Sequence, residues 1–506
     1  MSTRDRDSRE SGALRDAWRE TDASEPVEDA GEDPEIAPAL PSAAIASRAA
    51  SGPTPLEVGK RSHTQGEIWQ LAWPVIFSQA LASTVSVIDM MMVGRLGRDA
   101  LAAVTYTTQY LNLAQSILFA VGIGCVALMS RSIGARETLQ ARAALAGSLL
   151  IAGALATVFT IPVLVLPERL LALLQADPVV ISAGAPYFRM TLASMVFLAV
   201  SITIESGFRA CKNTRAAMGI ALAVTIAKTL LNWLLIFGAL GFPRLELEGA
   251  GIATLLSQAL AFALFVAAAR RGRDADHLRL GMADFRAARG VLGAITRVSL
   301  PAVGERVILN VAIMTYVTVL GHYGTVEVAV YGIGTRLMSY SWIPGTGFSV
   351  AAATLVGQAL GARQAGEAAR AGWRSARFAL MVSIALGLAF GLAREPIARA
   401  FTNDEGVVQA LLPFMLLLAL AQPPMGVHFT LGGALRGAGD TWTVLLAATL
   451  GNWGFRVPLA FLASAGLQLD VIWVWAALIA DHFARAVWLT IAFRRGGWQR
   501  RRLAPA

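Results

Sequence analysis

One stretch of the chain, residues 67–92, decides the class of fold. It reads EIWQLAWPVIFSQALASTVSVIDMMM, with an acid at its first position and only Asp89 charged inside it. About 20 consecutive, mostly apolar residues are enough for an α-helix to cross a bilayer. Unpaired backbone groups cannot face lipid, so such a stretch folds as a helix. The stretch is therefore predicted to be a transmembrane helix that carries a carboxylate.

The composition of the whole chain agrees with a membrane protein. Of its 506 residues 55% are hydrophobic and 15% are charged, and the mean hydropathy is +0.56. Soluble proteins usually carry about 25% charged residues, so this chain has too little polar surface for a soluble enzyme. Cys125 and Cys211 show no metal or disulfide spacing and are expected to be inert thiols.

Eleven further apolar stretches follow, and together they predict an all-α polytopic membrane protein with twelve transmembrane helices. The predicted spans are 67–92, 103–130, 143–166, 187–209, 215–239, 249–269, 292–320, 328–358, 374–392, 407–435, 441–465 and 470–493.

The positive charges of the loops indicate the orientation. Of the Lys and Arg residues beside the spans, 23 fall on one side of the membrane and 6 on the other. The richer side is predicted to be cytoplasmic, with both termini there. Because the excess lies in short loops, the net charge of +9 does not indicate a nucleic-acid partner. A basic cytoplasmic linker, 271–291, separates an N-terminal six-helix lobe, 65–270, from a C-terminal lobe, 292–495.

Two segments lie outside the lobes. Residues 1–60 hold 13 acidic and 7 basic residues and no apolar core of a signal peptide. Pro, Ala, Ser and acids dominate much of this region, so residues 1–64 are predicted to be a disordered cytoplasmic tail. Residues 496–506 are predicted to be a basic C-terminal tail.

The two lobes match at a fixed offset of 227 residues. Pro74 falls on Pro301, Gly97 on Gly324, and the triplet starting at Gly134 falls on the one that starts at Gly361. Six helices preserve orientation, so the chain is a parallel duplication. The lobes are expected to be related by a pseudo-two-fold axis along the membrane normal, around a central cavity suited to alternating access.

Charged residues inside the spans are the first candidates for function, because they are costly in a membrane. Asp89 can take up a proton, bind Na⁺, or form a structural ion pair with Lys228. Glu305, one turn after Pro301, has the same possibilities. A second group, Arg456, Asp481 and Arg485, is predicted to form a structural or proton-relay network, because Asp481 and Arg485 are spaced i, i+4. His428 and His482 can carry protons or simply pack.

Aromatic and Met side chains near the first, second and eighth helices are candidates for the wall of a substrate cavity, since they adapt to varied apolar ligands and attract cations. Packing in the core or against lipid is the alternative. The candidates are Met90, Tyr106, Tyr110, Met338, Tyr340 and Phe348.

At this point the sequence resembles the multidrug and toxic compound extrusion (MATE) family, in its DinF-like branch. The resemblance covers roughly residues 65–495. Its motifs are Ile88–Gly97, Leu231–Gly238, Gly249–Thr254, Leu300–Glu305, Pro344–Gly361, Leu435–Thr441 and Arg456–Pro458.

The resemblance implies a secondary active antiporter, not an enzyme, that exports small amphiphilic or cationic compounds in exchange for H⁺ or Na⁺. It implies no cofactor and no metal site, a monomer among membrane lipids, and a bacterial plasma (inner) membrane. It also assigns Asp89 and Asn232 to a cation site in the N-terminal lobe and places Glu305 at the cleft.

Two positions depart from the family. Lys228 stands where members often carry Asn, one helical turn before Asn232, so an ammonium can occupy the cation's place and H⁺ is favoured over Na⁺. Met425 replaces an acid that another branch carries in helix 10.

Two alternatives remain at this stage. A lipid-linked sugar or phospholipid flippase of the same superfamily would need a basic cavity, with Arg306 and Arg336 facing inward. A membrane-embedded transferase would need an acidic metal-binding motif such as DDxxD, which the sequence does not contain.

Overall fold

The computed structural model describes residues 65–174 and 176–501, so the predicted tail 1–64 lies outside the described residues, as do residues 502–506. In the described part every regular element is a helix, and twelve helices are long and apolar enough to cross a membrane. The predicted fold class is confirmed.

The transmembrane helices follow the predicted spans. They are α1 (Gln65–Gly94), α2 (Arg98–Gly134), α3 (Thr138–Val165), α4 (Pro178–Ala210), α5 (Thr214–Phe237), α6 (Glu246–Arg271), α7 (Leu292–Leu320), α8 (Thr325–Gly361), α9 (Ala365–Leu392), α10 (Glu405–Gly437), α11 (Thr441–Gly466) and α12 (Val471–Arg495). Ser194 interrupts α4, and α11 contains two π-helical segments, Leu450–Arg456 and Leu462–Gly466. Short helices in the connections are Pro167–Leu173, Ala239–Gly241, Ala275–Leu278, Met282–Ala288, Arg394–Phe401 and Gly497–Arg500.

The backbone repeats the offset of 227 residues seen in the sequence. Gly97 and Gly324 both have positive φ, 110° and 123°, in the turns that precede α2 and α8. Only glycine adopts such angles at little cost. Asn213 and Asp440 cap α5 and α11 in the same way, because each side chain accepts a backbone N–H three residues ahead. The duplication therefore extends to turn and cap chemistry.

The linker and the C-terminal segment pack onto the lobes. Leu278 of the linker is buried in the apolar core of the N-terminal lobe. After α12, Trp498 is also buried, and its ring stacks on Phe493 with 4.6 Å between centroids. The described part of the predicted tail 496–506 is therefore docked on the C-terminal lobe.

The lobes meet where α2 crosses α8, near the C-terminal end of each helix. A Cβ atom at Gly134 would overlap the backbone of Gln358, and a Cβ at Gly361 would overlap the backbone of Arg131. The two contacts exchange under the 227-residue offset, so the pseudo-two-fold axis passes through this crossing. Glycine at both positions lets the two backbones touch.

Further contacts between the lobes lie at the same end. Thr354 donates a hydrogen bond to the carbonyl of Arg209 (3.0 Å), and Gln358 donates one to the carbonyl of Ala210 (2.8 Å). At the opposite end of α1, a Cβ at Gly94 would meet nothing within 4 Å. The lobes are thus joined at the ends that carry most of the loop arginines.

This crossing predicts a difference between two glycine variants. Gly134→Ala should lower the free energy of unfolding by about 1–3 kcal/mol, the usual cost of overpacking. Gly153→Ala in α3 is the matched control, because its Cβ would meet nothing within 4 Å; it should be neutral or slightly stabilising through helix propensity. Unfolding of the purified protein measures both. Equal effects would contradict the backbone contact.

Candidate functional site

The N-terminal lobe brings three predicted site residues together between α1 and α5. The Asp89 carboxylate accepts a hydrogen bond from Lys228 Nζ at 2.5 Å and one from Asn232 Nδ2 at 2.6 Å. Lys228 and Asn232 are one turn apart on α5, which puts both on the face toward α1. The three residues are therefore in contact, while their role in coupling stays a prediction.

The cluster is partly exposed at the surface of the N-terminal lobe. The side chains of Asp89 and Lys228 are 22% and 24% exposed, whereas Asn232 is buried. Asn232 Oδ1 is a buried acceptor without a hydrogen-bond partner among the described residues. An amide donates to a carboxylate with its nitrogen and, when turned over, accepts from a carboxylic acid with its oxygen. Asn232 can therefore serve both protonation states of Asp89.

An apolar cavity of about 460 Å³ lies between the same two helices. Val85 and Ile88 of α1 and Thr229 and Trp233 of α5 contribute to its wall, close in sequence to the ion pair. Sequence analysis missed this cavity, because a helical pattern does not show which faces of two helices leave a gap.

The candidate cavity residues divide into three groups. Met90 and Tyr340 are exposed, while Tyr106 and Tyr110 are partly buried. Met338 is buried in the C-terminal lobe and Phe348 is buried where that lobe packs on α1, so neither lines an open surface in this conformation. Their assignment to a substrate cavity stays a prediction.

Glu305 is paired with an arginine, for which sequence analysis had named no partner. Arg436 Nη2 donates to both carboxylate oxygens, at 2.7 and 2.8 Å, and each side chain is 18% exposed. Arg436 occupies the last turn of α10, and sequence analysis had treated it only as a loop charge. The pair joins α7 to α10, and no hydrogen bond or ion pair among the described residues links Glu305 to the cluster around Asp89.

The predicted group of Arg456, Asp481 and Arg485 does come together. Asp481 is fully buried and accepts from Arg456 at 2.5 Å and from Arg485 at 2.5 and 2.8 Å. Gly451, in the first π-helical segment of α11, allows this packing, because a Cβ there would overlap Asp481. The three residues are therefore in contact, as predicted, while the choice between a structural and a proton-relay role stays open.

The two histidines of the same lobe contact each other. His428 Nε2 lies 3.2 Å from His482 Nδ1, and the rings stack 6° from parallel. Both side chains are buried behind Asp481 and its arginines. The described residues contain no group of three His, Cys, Asp or Glu side chains that could hold a metal ion.

Comparison with known proteins matches this architecture. The family model described as MatE matches the chain twice, over residues 74–234 and 301–462, so the two matches begin 227 residues apart. A MATE transporter from Vibrio cholerae, solved in its bent form, has a TM-score of 0.76 at 20% sequence identity, over 86% of this chain and 98% of that one. This structural likeness shows the fold.

Relatives by sequence cover most of the chain. A probable multidrug resistance protein NorM of Thermotoga maritima is 25% identical over 441 residues, 86% of this chain and 93% of the relative. A FAD transporter of Shewanella oneidensis is 28% identical over 358 residues, 69% of this chain and 77% of the relative. With both halves matched by the family model, the chain belongs to the MatE family, whose members are membrane transporters and not enzymes.

Proposed function

We propose that the protein is a proton-coupled antiporter that exports small amphiphilic cations across a bacterial inner membrane, with both termini cytoplasmic. The observation that carries this proposal is the Asp89–Lys228 ion pair with Asn232 beside it, facing an accessible region of the N-terminal lobe. The multidrug resistance name of the Thermotoga maritima relative supports the same class of substrate.

One proton changes the net charge of this cluster and, with it, whether the cluster tolerates or repels a cationic ligand. With Lys228 in its ammonium form, the pair is neutral when Asp89 is ionised and carries +1 when Asp89 is protonated. In the low dielectric of a membrane protein, a neutral site tolerates a cationic ligand and a positive site repels it. Proton binding therefore expels a cation, which is what exchange requires.

Lys228 also bears on the choice of ion. Its ammonium is within hydrogen-bond distance of the carboxylate oxygen that a bound Na⁺ would need. Two cations cannot share one carboxylate without strong repulsion. This favours H⁺ over Na⁺ as the coupling ion.

The position of the lobe contacts supports an outward-open state. The contacts at the crossing of α2 and α8 lie on the arginine-rich side, which the positive-inside rule assigns to the cytoplasm. In this state Asp89 takes up a proton from outside, the cation leaves, and the lobes then rock to release the proton inside. Alternating access follows from the two arrangements of the lobes.

Replacing the carboxylate tests the proposal. Asp89→Asn holds the site at +1 permanently, so drug-dependent proton flux should fall by about tenfold or more, within the usual range of coupling free energies. Asp99→Asn, at the start of α2 and half exposed beside Arg98, is the control and should keep its flux. Both are measured in proteoliposomes with a pH-sensitive dye inside. Wild-type flux in Asp89→Asn would remove Asp89 from the mechanism.

Replacing the lysine tests the choice of ion. Lys228→Asn removes the competing ammonium, so a Na⁺ gradient should begin to drive export, by about tenfold over the wild type. Lys212→Asn is the control, because Lys212 pairs with Glu67 at 2.7 Å, away from the cluster. Export is measured under separate pH and Na⁺ gradients. If the wild type already responds to Na⁺ alone, the proposed role of Lys228 is wrong.

A second candidate substrate class is an anion such as a phosphorylated metabolite. Lys228 and the FAD transporter of Shewanella oneidensis both favour it. For an anion the effect of the proton is the opposite, because protonation of Asp89 leaves Lys228 free to pair with the anion. The proton and the substrate then move in the same direction. Flux of a cationic and an anionic dye under one pH gradient separates the two classes. Arg306 and Arg336 are both exposed, and the flippase hypothesis, which requires them to face the central cavity together, stays a prediction.

A further inference from the structure

A second site lies at the seam between the lobes, on their arginine-rich side. We propose that it binds a phosphate group, from a lipid headgroup or from a soluble metabolite, and that its occupancy favours the state in which the lobes are closed there. This site is separate from the cluster around Asp89, and the inference does not depend on which compound is transported.

The seam contains a cavity of about 270 Å³ whose wall comes from both lobes. Arg131 and Ser132, at the end of α2, and Gln140, in α3, contribute from the N-terminal lobe. Gly361 and Arg363, at the end of α8, contribute from the C-terminal lobe. The volume suits a small polar group rather than a drug-sized molecule, since ligand pockets for the latter are usually about 300–1,000 Å³.

The charged groups in this wall are unpaired. Arg131 Nη1 is buried and has no hydrogen-bond partner among the described residues. Within the same residues, neither Arg131 nor Arg363 forms an ion pair. A buried N–H of a charged group that has no hydrogen-bond partner is unfavourable in free energy, so a ligand that supplies an acceptor to Arg131 Nη1 would be stabilised.

The balance of charge in the wall favours an anion. Arg131 and Arg363 contribute two positive charges, and Glu137 is the one acid of the wall. Guanidinium groups bind phosphate oxygens through paired, charge-assisted hydrogen bonds. The hydroxyl of Ser132 and the amide of Gln140 add neutral donors around the same space.

The duplication explains why the site occurs on one side of the seam. At the offset of 227 residues, Arg131 corresponds to Gln358. The amide of Gln358 is already occupied, because it donates to the carbonyl of Ala210 at 2.8 Å. One side of the crossing is therefore closed by a neutral hydrogen bond, and the other leaves a free guanidinium beside a cavity.

Occupancy of such a cavity has a direct effect on conformation. Because the wall is shared, the cavity exists only while the α2–α8 crossing is intact. A ligand that binds one of two states shifts the equilibrium toward that state. A phosphate group bound here holds the lobes together on this side and so favours opening on the other side.

The test measures thermal unfolding of the purified full-length protein with two probes. The probes are inorganic phosphate added in detergent, and phosphatidylglycerol mixed into phosphatidylcholine nanodiscs. A probe at about 100 times its dissociation constant should raise the unfolding midpoint by roughly 4 °C. Arg131→Gln, which copies the residue of the other lobe, should lose this rise. Arg297→Gln is the matched control, because Arg297 is exposed and does not line the cavity.

A second variant tests the shared wall. Gly134→Ala keeps Arg131 but disturbs the crossing, so it should also weaken the rise. A rise with phosphate assigns the site to soluble anions, and a rise with phosphatidylglycerol alone assigns it to lipid. No rise with either probe, or an equal rise in Arg131→Gln, overturns the proposal. An undiminished rise in Gly134→Ala overturns the claim that both lobes form the site.

Discussion

A carboxylate inside a bilayer has to be neutralised, and the arrangement of the N-terminal lobe depends on how this happens to Asp89. An isolated charge at that depth is unfavourable by several kcal/mol or more. Here an ammonium from the neighbouring helix neutralises the carboxylate at 2.5 Å, and a buried amide adds a second hydrogen bond. The pair is nevertheless about one-fifth exposed, and the proposed exchange of protons requires such an opening.

Of the two duplicated lobes, only the N-terminal lobe has a carboxylate at this position. The position that corresponds to Asp89 at the 227-residue offset is Tyr316, which is fully buried and donates its hydroxyl to the carbonyl of Val474 at 2.8 Å. The charges of the C-terminal lobe lie elsewhere, around Asp481, which two arginines hold without access to solvent. The two lobes thus share a backbone but differ in their charged side chains, because the ion pair of the N-terminal lobe is partly exposed and that around Asp481 is sealed.

Much of the fold could be predicted from sequence, because lipid imposes the same requirement on every span. The ends of the helices were harder. Helices α4 and α9 each begin nine residues before the predicted span, at Pro178 and Ala365. Hydropathy reports which residues are apolar enough to lie in lipid, whereas a helix can extend beyond them, as α9 does over the turns where Arg370 donates to Glu367.

The contacts of the candidate sites also divide into those that the sequence could predict and those that it could not. The contact of Asp89 with Lys228 could be predicted, because both are rare charged residues in apolar helices and such residues usually pair with one another. The burial of Met338 and Phe348, and the pairing of Glu305 with Arg436, could not. They depend on which face of α8 or α10 turns inward, and an amphipathic pattern is weak when lipid and core are equally apolar.

Helix α1 connects the Asp89 cluster to the contact between the lobes, and in the proposed mechanism this connection is what lets one proton act on two bundles. Its first half packs on the other lobe, where the rings of Trp69 and Phe348 are 6.4 Å apart. Its second half carries Asp89, tied to α5 of its own lobe. Pro74 lies within the first attachment, and a proline removes a backbone hydrogen bond and allows a helix to bend. In the proposed mechanism, protonation of Asp89 would release the second attachment and leave the first, so that α1 could move with the C-terminal lobe.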